Sequence, residues 1–493
     1  MPAVVLSEEA RAFDLNIEKV LEHWSVANAL REFIANALDE QVLSDTDEPT
    51  IEQVGTGWWV IRDFGRGVRY EHLTQKENRE KLRHPSVIGQ FGIGLKDALA
   101  VCERRGVEVV IRSKYGDIST KRLPKAGFPD VVTLHGVVEP PSDPGRIGTE
   151  VELADVPEGQ MEKAKAFFLR YNGDTLLEST KYGDVLARSG GKGPGRVYVK
   201  GLLVAEEPNF LFSYNISQLN AGLRRALNRE RTNVGRGAYS DRVKDILKEC
   251  RSPAVAEPLT GDLAQFVSGR MHDELSWKDV AIHACRVLQS NEKVVFVTPW
   301  QLTLVSVSRA RDDGYRPVVV PDDIARALGG MSDLEGNPMF DIGRFQDEWN
   351  QSVVFELVAP ADMTDAERNV YDLARPVAEL AGFDLRRCGV KEICVSEKMR
   401  LSEAGAEVLG VWDSVEARVV VRRDQLGDAS AFCGTLLHEL EHAASGYSDG
   451  TLAFEEALTR RLGTTSSVAI ARLGAGAASP RRAVVGKKST TQA

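Results

Sequence analysis

The pattern of hydrophobic and polar positions near the start of the chain predicts a helix with two distinct faces. Apolar residues recur at the three- and four-residue spacing of a helix that packs on a core, at Val26, Leu30, Phe33, Ile34, Ala37 and Leu38. Glu32, Asn36 and Asp39 share the opposite stripe. A row of carboxylate and amide oxygens can hold a hard cation such as Mg²⁺ with its waters. A solvated polar face is the alternative interpretation.

Further along, alternating segments predict strands that are bounded by glycine-rich motifs. Residues 58–61, 107–112 and 131–138 have strand-like patterns, and another strand starts after Gly148. The first glycine motif covers residues 61–68, the second covers residues 88–96, and a Gly-Thr pair follows at 148–149. Together they supply further candidate residues, Asp63, Gly65, Gly67, Gly89, Gly92, Gly94, Lys96 and Thr149. Glycine lets a backbone approach a ligand closely, and a glycine loop that opens a helix offers free N–H groups to phosphate.

The helix with its polar stripe, the two glycine motifs and the Gly-Thr pair occur in this order in the GHKL ATPase superfamily, which this chain therefore resembles. The superfamily includes gyrase, ninety-kilodalton heat-shock chaperones, histidine kinases and MutL-type proteins. The resemblance covers roughly residues 20–155 and implies a Bergerat-type α/β sandwich that binds ATP and Mg²⁺. Glu32 matches the base that activates water, and Asn36 matches the magnesium ligand. Asp63 matches the carboxylate that accepts from the adenine amino group. The other positions match as follows: Gly65 and Gly67 in the adenine pocket, Gly92, Gly94 and Lys96 over the phosphates, Thr149 near the adenine.

The presence of Glu32 favours hydrolysis over phosphotransfer, because histidine kinases usually lack this base. The charged segment 69–87 corresponds to a mobile lid. The resemblance also implies that ATP drives dimerisation of two chains.

The next part of the chain looks like the transducer domain that follows the ATPase in gyrase-like and chaperone members. A helix is expected over 161–171, a hairpin over 196–204 that turns at Lys200-Gly201, and a helix over 241–250. The segment N-R-E at 228–230 matches the chaperone segment whose arginine reaches the γ-phosphate. Arg229 is the candidate and Arg231 the fallback, because a permanently charged, forked guanidinium suits a phosphate sensor. A surface helix rich in arginine is the alternative.

The middle of the chain predicts a small α/β unit without a catalytic motif. Residues 253–263 have the composition of a linker. Helices at 277–289 and 301–311 alternate with strands at 293–298 and 317–320, and the polar stretch 329–350 looks like another boundary.

A second chemical motif, H-E-L-E-H, lies close to the C-terminal end. His438 and His442 lie one helical turn apart and can hold Zn²⁺, and Glu439 between them can take a proton from water that the metal polarises. The motif resembles the gluzincin metallopeptidases, in which the next helix supplies a third ligand. Glu455 is the expected ligand and Glu456 the alternative. The strand-like run 417–423 is expected to be an edge strand that pairs with a peptide substrate. Packed, metal-free histidines are the other interpretation.

Composition narrows the class of protein without identifying it. The 493 residues exceed one ordinary domain, and 62 basic against 72 acidic residues give a net charge of −10. This balance disfavours nucleic acid as a partner, although a basic lining at Arg224, Arg225, Arg229 and Arg231 keeps it possible. Six scattered cysteines, the lack of an 18-residue apolar run and the lack of a leader predict a cytoplasmic protein that does not contact the membrane.

The sequence thus predicts a multidomain α+β protein with five segments. They are an ATP-binding domain 1–155, a transducer-like domain 156–252, an α/β middle domain 261–345, a zincin-like α+β domain 346–473 and a disordered basic tail 474–493. The expected function is an ATP-hydrolysing clamp coupled to a zinc peptidase that acts on a protein or peptide. The alternative is a chaperone-like, defence-related or nucleic-acid clamp in which zinc is not catalytic.

Overall fold

The computed structural model describes residues 9–15, 21–74, 81, 87–88, 94–227 and 234–477. The protein is a multidomain α+β protein, as the sequence predicts, and it divides into two units. The first unit covers Met1–Glu292 and Arg326–Pro338, and the second covers Lys293–Ala325 and Met339–Ala493, each over its described residues. The predicted boundary at 155/156 lies inside the first unit, and the predicted middle domain is divided between the two units.

The described helices, numbered in chain order, are α1 Val26–Ser44, α2 Glu71–Thr74, α3 Gly94–Arg105, α4 Gln160–Lys165, α5 Ala221–Ala226, α6 Arg236–Glu249, α7 Pro253–Leu263, α8 Lys278–Asn291, α9 Val305–Asp312, α10 Asp322–Leu328, α11 Ile342–Ser352, α12 Asp365–Tyr371, α13 Ala374–Leu380, α14 Ala429–Ser445 and α15 Leu452–Ala477. The described strands are β1 Arg11–Asp14, β2 Thr50–Gly55, β3 Trp58–Arg62, β4 Glu108–Ser113, β5 Gly116–Lys125, β6 Phe128–Glu139, β7 Thr149–Ala154, β8 Thr175–Thr180, β9 Gly183–Ala187, β10 Gly195–Val199, β11 Leu202–Glu207, β12 Ser213–Ile216, β13 Val294–Val297, β14 Arg316–Val319, β15 Glu392–Ser396, β16 Gly410–Asp413 and β17 Arg418–Arg422.

A seven-stranded antiparallel sheet forms the base of the first unit. Its order is β1-β6-β5-β4-β7-β3-β2, so β7 and β3 lie side by side although almost 90 residues separate them. Helices α1, α3 and α4 pack over this sheet, and their apolar residues form one core with Ile61, Ile111 and Val151. Glu32, on the polar stripe of α1, lies against Gly94 at the start of α3.

Local sequence explains where α1 begins and ends. Ser25 caps its start, since the Ser25 hydroxyl accepts from the N–H of Asn28 while the Asn28 side chain accepts from the N–H of Ser25. At the other end Asp45 adopts a left-handed conformation, and its N–H donates to the carbonyl of Gln41.

A five-stranded sheet with the order β11-β10-β12-β9-β8 forms the second layer of the first unit. The predicted hairpin over 196–204 is confirmed, because β10 and β11 pair antiparallel across Lys200 and Gly201. The predicted helix over 161–171 is shorter, since α4 ends at Lys165 and a separate 3₁₀ turn covers Leu169–Tyr171.

Two segments predicted as linkers are helices instead. The segment 253–263 is helix α7, in which Ser252 caps the start and Pro253 takes the first position, where proline is tolerated. Its buried face of Val255, Leu259 and Leu263 shows why tertiary packing prevails over Pro258 inside the helix. Likewise, the polar stretch 329–350 contains most of α11, whose Phe345 and Trp349 are buried.

The second unit contains two small sheets. Strands β13 and β14 pair in parallel, which confirms the predicted strand–helix–strand unit. Strands β15, β17 and β16 form a sheet in that order, and α14 packs on it through Phe432, Leu436 and Leu440. The predicted edge strand over 417–423 corresponds to β17, which is the central strand, so that prediction is wrong. The edge strand beside α14 is β16.

Helix α15 continues to Ala477, four residues into the segment predicted as a disordered tail, and the remainder of that segment lies outside the described residues. Among the described helices, none combines the length and the apolar content that a membrane span requires.

Candidate functional site

The polar stripe of α1 faces the interior of the protein. Glu32 is 8% exposed and Asp39 is 1% exposed, while Asn36 is partly buried. A solvated polar face is therefore excluded. Burying two carboxylates is unfavourable unless they form ion pairs or hydrogen bonds, and both Glu32 and Asp39 do so.

Glu32 forms a buried ion pair with its neighbour in sequence. Arg31 donates to Glu32 Oε1 from Nη2 at 2.7 Å and from Nε at 3.1 Å. The Arg31 side chain is fully buried, and its guanidinium lies over the rings of Trp24 at 5.1 Å and Phe167 at 5.3 Å. Only Oε1 takes part in this pair, and Oε2 of Glu32 points toward the start of α3, where a Cβ on Gly94 would lie 2.3 Å from it.

A lysine ammonium lies on the oxygens of Asn36 and Asp39. Lys81 Nζ donates to Asn36 Oδ1 and to Asp39 Oδ2, both at 2.9 Å. The second oxygen of Asp39 accepts from the N–H of Ile88 at 2.6 Å. The positively charged ammonium of Lys81 therefore bridges both oxygens.

Asp63 follows β3 and is 6% exposed. Its Oδ1 accepts from the backbone N–H groups of Gly65 and Thr149, both at 3.0 Å, so this oxygen is committed to the protein. Burial raises the pKa of Asp63, and these two hydrogen bonds only partly oppose that effect. Gly148 is needed for this contact, because a Cβ there would lie 1.9 Å from the Asp63 carbonyl oxygen.

The predicted glycines are only partly described. Gly65 and Gly67 lie in the loop after β3, where a Cβ on Gly65 would meet the Glu40 side chain at 2.4 Å and Gly67 has a φ of +85°. Gly94 starts α3 and Lys96 lies, half-buried, in its first turn. Gly89 and Gly92 lie outside the described residues, as do Arg229 and its alternative Arg231.

These segments enclose one cavity of about 640 Å³, here called the α1 cavity. Its apolar wall comes from Phe33, Ile61, Ile111 and Val151, and its polar wall includes Asn36, Asp63, Gly67 and Thr149. The lining also includes the basic side chains Arg66, Arg69, Lys81 and Lys114 and the acidic Glu40 and Glu71. An apolar pocket that contains a buried carboxylate and several cations can hold a flat polar ring that carries an anionic group.

Sequence reasoning treated Lys200 only as a turn residue. It occupies the tip of the β10–β11 hairpin with a φ of +51°, and its ammonium donates to the carbonyl of Val87 at 3.3 Å. Val87 lies just before the second glycine motif. A lysine before glycine at a hairpin tip was the available signal, but only tertiary packing brings it to this motif.

The second predicted site lies in the second unit, on α14 and the turn after it. His438 and His442 come together with Asp449, and the three ligand atoms lie within 4.8 Å of one another. We call these three residues the histidine cluster. His442 Nδ1 donates to the carbonyl of Tyr447 at 2.7 Å, and the ring of Phe454 stacks on His442 at 4.1 Å. Both contacts fix the orientation of this imidazole.

Glu439 lies beside the histidines and faces the edge strand β16. The N–H of Trp412 donates to its carboxylate, and burial, opposed by His442 and by this hydrogen bond, raises the pKa of Glu439 to about 7. A Cβ on Gly410 would lie 2.8 Å from Glu439 Cγ, so a glycine is required where β16 crosses the helix.

Neither Glu455, predicted as the third ligand, nor its alternative Glu456 belongs to the histidine cluster. Glu455 and Glu456 are both exposed in the first turns of α15, and the structure gathers Asp449 instead of either one next to the imidazoles. Glu441, also on α14, is 4% exposed and accepts from Arg461 Nε at 2.8 Å.

Comparison with known proteins places this chain in a family. Residues 159–253, which include the five-stranded sheet, match a family model described as the Mycoplasma pneumoniae MPN635 N-terminal domain. An uncharacterized protein of Mycoplasma pneumoniae (strain ATCC 29342 / M129 / Subtype 1) is 38% identical over 242 residues, which is 48% of this chain and 97% of that protein. A second uncharacterized protein of that strain is 24% identical over 347 residues, 65% of this chain and 96% of that protein. This multidomain α+β chain therefore belongs to the family of the first Mycoplasma pneumoniae protein.

Proposed function

We propose that the first unit is a GHKL-type ATPase that binds ATP with Mg²⁺ in the α1 cavity. The observation that carries this proposal is the convergence of Asn36, Asp63, Gly67 and Thr149, from three separate segments, on a single cavity of suitable size. The layer of helices over an antiparallel sheet agrees with the Bergerat-type sandwich that the motifs suggest.

Each polar group has a role in this proposal. Asp63 accepts from the adenine amino group through Oδ2, since its Oδ1 is already bonded to the backbone. Glu32 accepts a proton from the attacking water through Oε2, while Arg31 holds Oε1. Asn36 and Asp39 would hold Mg²⁺ or its waters where the Lys81 ammonium lies, and the ion supplies neutralisation of phosphate charge when bound.

Two cations would sense the terminal phosphate from the five-stranded sheet and the segment after it. Lys200 is supported by its contact beside the second glycine motif, and Arg229 is supported by its sequence context. The proposed consequence of ATP binding is association of two chains, which sedimentation with and without ATP tests.

The test of this function is adenine selectivity. Adenine has an amino group at the position where guanine has a carbonyl, and a carboxylate cannot accept a hydrogen bond from a carbonyl. We therefore expect the purified chain to bind ATP-Mg²⁺ in calorimetry and to release phosphate, with GTP bound at least about tenfold more weakly. Equal affinity for the two nucleotides, or no binding of either, would contradict the proposal.

A second function, zinc-dependent peptide hydrolysis, is proposed for the second unit. It is supported by His438 and His442 with converging nitrogens, and by a buried Glu439 between the helix and the edge strand β16. A zinc ion, when bound there, supplies Lewis-acid polarisation. Glu439 would take the proton from the attacking water, and the outer edge of β16 would pair with an extended peptide.

Glu439→Gln tests this second function. The amide has the same shape but cannot accept a proton, so we expect zinc to be retained and cleavage of candidate proteins to fall by about 10²–10⁴-fold. ATP turnover should continue, because the α1 cavity belongs to the other unit. Unchanged cleavage would exclude Glu439 as the base. Zinc binding without cleavage in the wild type would favour the alternative, a clamp with a non-catalytic metal.

A further inference from the structure

The turn after α14 brings an aspartate to the two histidines. Gly446 ends the helix in a left-handed conformation with a φ of +68°, and its N–H donates to the carbonyl of His442 at 2.9 Å. The chain reverses there, so that Asp449 Oδ1 lies 3.0 Å from His438 Nε2 and 3.3 Å from His442 Nε2. The two Nε2 atoms are 3.2 Å apart.

These three distances match one face of a tetrahedron around zinc. Zinc binds imidazole nitrogen and carboxylate oxygen at about 2.0–2.2 Å, and tetrahedral geometry then places two ligand atoms about 3.3–3.5 Å apart. The observed separations of 3.0, 3.2 and 3.3 Å lie close to this spacing. The three ligand atoms are two nitrogens and one oxygen. This donor set suits zinc better than Mg²⁺ or Ca²⁺, which prefer oxygen ligands.

The hydrogen bonding around His442 prepares its Nε2 as a ligand atom. The carbonyl of Tyr447 can only accept, so His442 Nδ1 carries the hydrogen and Nε2 of the neutral ring presents a lone pair. That lone pair faces another imidazole nitrogen and a carboxylate oxygen. Such a support for the second ring nitrogen is usual for histidines that bind metals. Phe454, the first buried residue of α15, stacks on the same ring and limits its rotation.

We infer that Asp449 is the third protein ligand of a zinc site completed by His438 and His442, and that neither Glu455 nor Glu456 binds the metal. This inference rests on the metal-binding part of the proposed second function. Among the described residues, the set of three ligand-type side chains within 4.8 Å contains Asp449 and neither glutamate. Glu439 stays outside the set and is held toward Trp412, so it remains available as a base.

Direct zinc titration of the full chain tests the inference independently of peptide cleavage. Protein stripped with a chelator is titrated with ZnCl₂ against a fluorescent zinc chelator, and Co²⁺ substitution reports the geometry through its visible spectrum. We compare the wild type with His438→Ala, Asp449→Ala and Glu455→Ala, the last being a matched removal of an exposed carboxylate six residues further along the chain.

We expect one zinc per wild-type chain, with Asp449→Ala weakening it by at least about 100-fold, the upper end of what loss of a supporting contact costs. Glu455→Ala should retain the wild-type affinity and Co²⁺ spectrum. The Asp449 side chain is 71% exposed, so the melting temperature of zinc-free Asp449→Ala should equal that of the wild type, which separates loss of a ligand from misfolding.

The outcomes separate this inference from the proposed function. If Glu455→Ala loses zinc while Asp449→Ala keeps it, Asp449 is not the ligand although the zinc site stands. If the wild type binds zinc no better than His438→Ala does, the zinc site itself fails, and the peptidase proposal fails with it.

Discussion

The polar stripe of α1 and the histidine cluster hold their carboxylates in opposite ways. Glu32 is 10% exposed at its side chain and is paired with Arg31, which is 1% exposed. Asp449 is 71% exposed and lies on a turn. Removal of one member of a buried ion pair lowers stability, because the other charge is left buried without a partner. Such a pair therefore contributes to the fold in addition to any catalytic role. An exposed carboxylate can be removed with little effect on folding. The two sites therefore require different variants.

The largest effect is expected for Glu32→Gln. The amide still accepts a hydrogen bond from Arg31, but it cannot take a proton from water, so ATP turnover should fall by about 10²–10⁴-fold while nucleotide binding remains. Phosphate release and calorimetry measure the two properties. Glu48→Gln, at a carboxylate that is 73% exposed and pairs with Arg170, is the matched control and should turn over normally. Wild-type turnover in Glu32→Gln would remove Glu32 as the base.

Removal of the two carboxylates compares the sites directly. Glu32→Ala leaves a buried guanidinium whose Nη1 already has no hydrogen-bond partner among the described residues, so we expect a loss of about 3–5 kcal/mol in unfolding free energy. Zinc-free Asp449→Ala should stay within about 0.5 kcal/mol. Thermal and urea unfolding of both variants give the result.

The double variant Arg31→Met, Glu32→Met is the control for that comparison. It removes both charges and should recover most of the stability lost in Glu32→Ala, because two apolar side chains can replace a buried ion pair. Equal losses for Glu32→Ala and Asp449→Ala would show that the contrast between the sites is mistaken.

Asp63→Asn should weaken ATP binding in the α1 cavity without disrupting the fold. The Asn oxygen can still accept from the N–H groups of Gly65 and Thr149, which leaves the Asn NH₂ facing the adenine amino group. Two donors cannot form a hydrogen bond, so ATP affinity should fall by about 1.5–3 kcal/mol. Calorimetric titration with ATP-Mg²⁺ measures this loss.

The difference in stability between the wild type and Asp63→Asn should depend on pH with a definite sign. Burial raises the pKa of Asp63, so its favourable contribution is present at low pH, where the group is protonated, and is lost as the pH rises through the raised pKa. Asp63→Asn should therefore melt at the same or a higher temperature than the wild type at pH 7, with a smaller difference in acid. A lower melting temperature at pH 7 would contradict this account of the burial.

The smallest effect is expected for Lys81→Met. This change removes the ammonium that bonds Asn36 and Asp39. Asp39 is 1% exposed and keeps its hydrogen bond from the N–H of Ile88, so we expect a loss of about 1–3 kcal/mol in stability. Mg²⁺ can replace the lost cation, so added Mg²⁺ should raise the melting temperature of the variant more than that of the wild type. Lys121→Met, at a surface ion pair with Glu139, is the control. Equal responses to Mg²⁺ would mean that these oxygens do not bind the ion.

Much of each site was predictable because its signals are local. Helix α1 follows from apolar periodicity, and the i, i+4 spacing of His438 and His442 places both imidazoles on one face of α14. The hairpin at Lys200-Gly201 follows from its turn residues in the same way. In all three cases the residues that form the pattern lie within a few positions of one another in the sequence.

The tertiary structure decided which of these local elements meet. Antiparallel pairing of β3 with β7 brings Asp63 to Thr149, 86 residues away in sequence. Lys200 reaches Val87, 113 residues away in sequence, only in the folded chain. The third neighbour of the histidines depends on a reversal at Gly446, so an aspartate at a turn takes the position expected for a glutamate on the next helix. Helix α7 forms despite Pro258 because its apolar face is buried. Periodicity reports local conformation, whereas strand order, chain reversal and burial depend on contacts between distant segments.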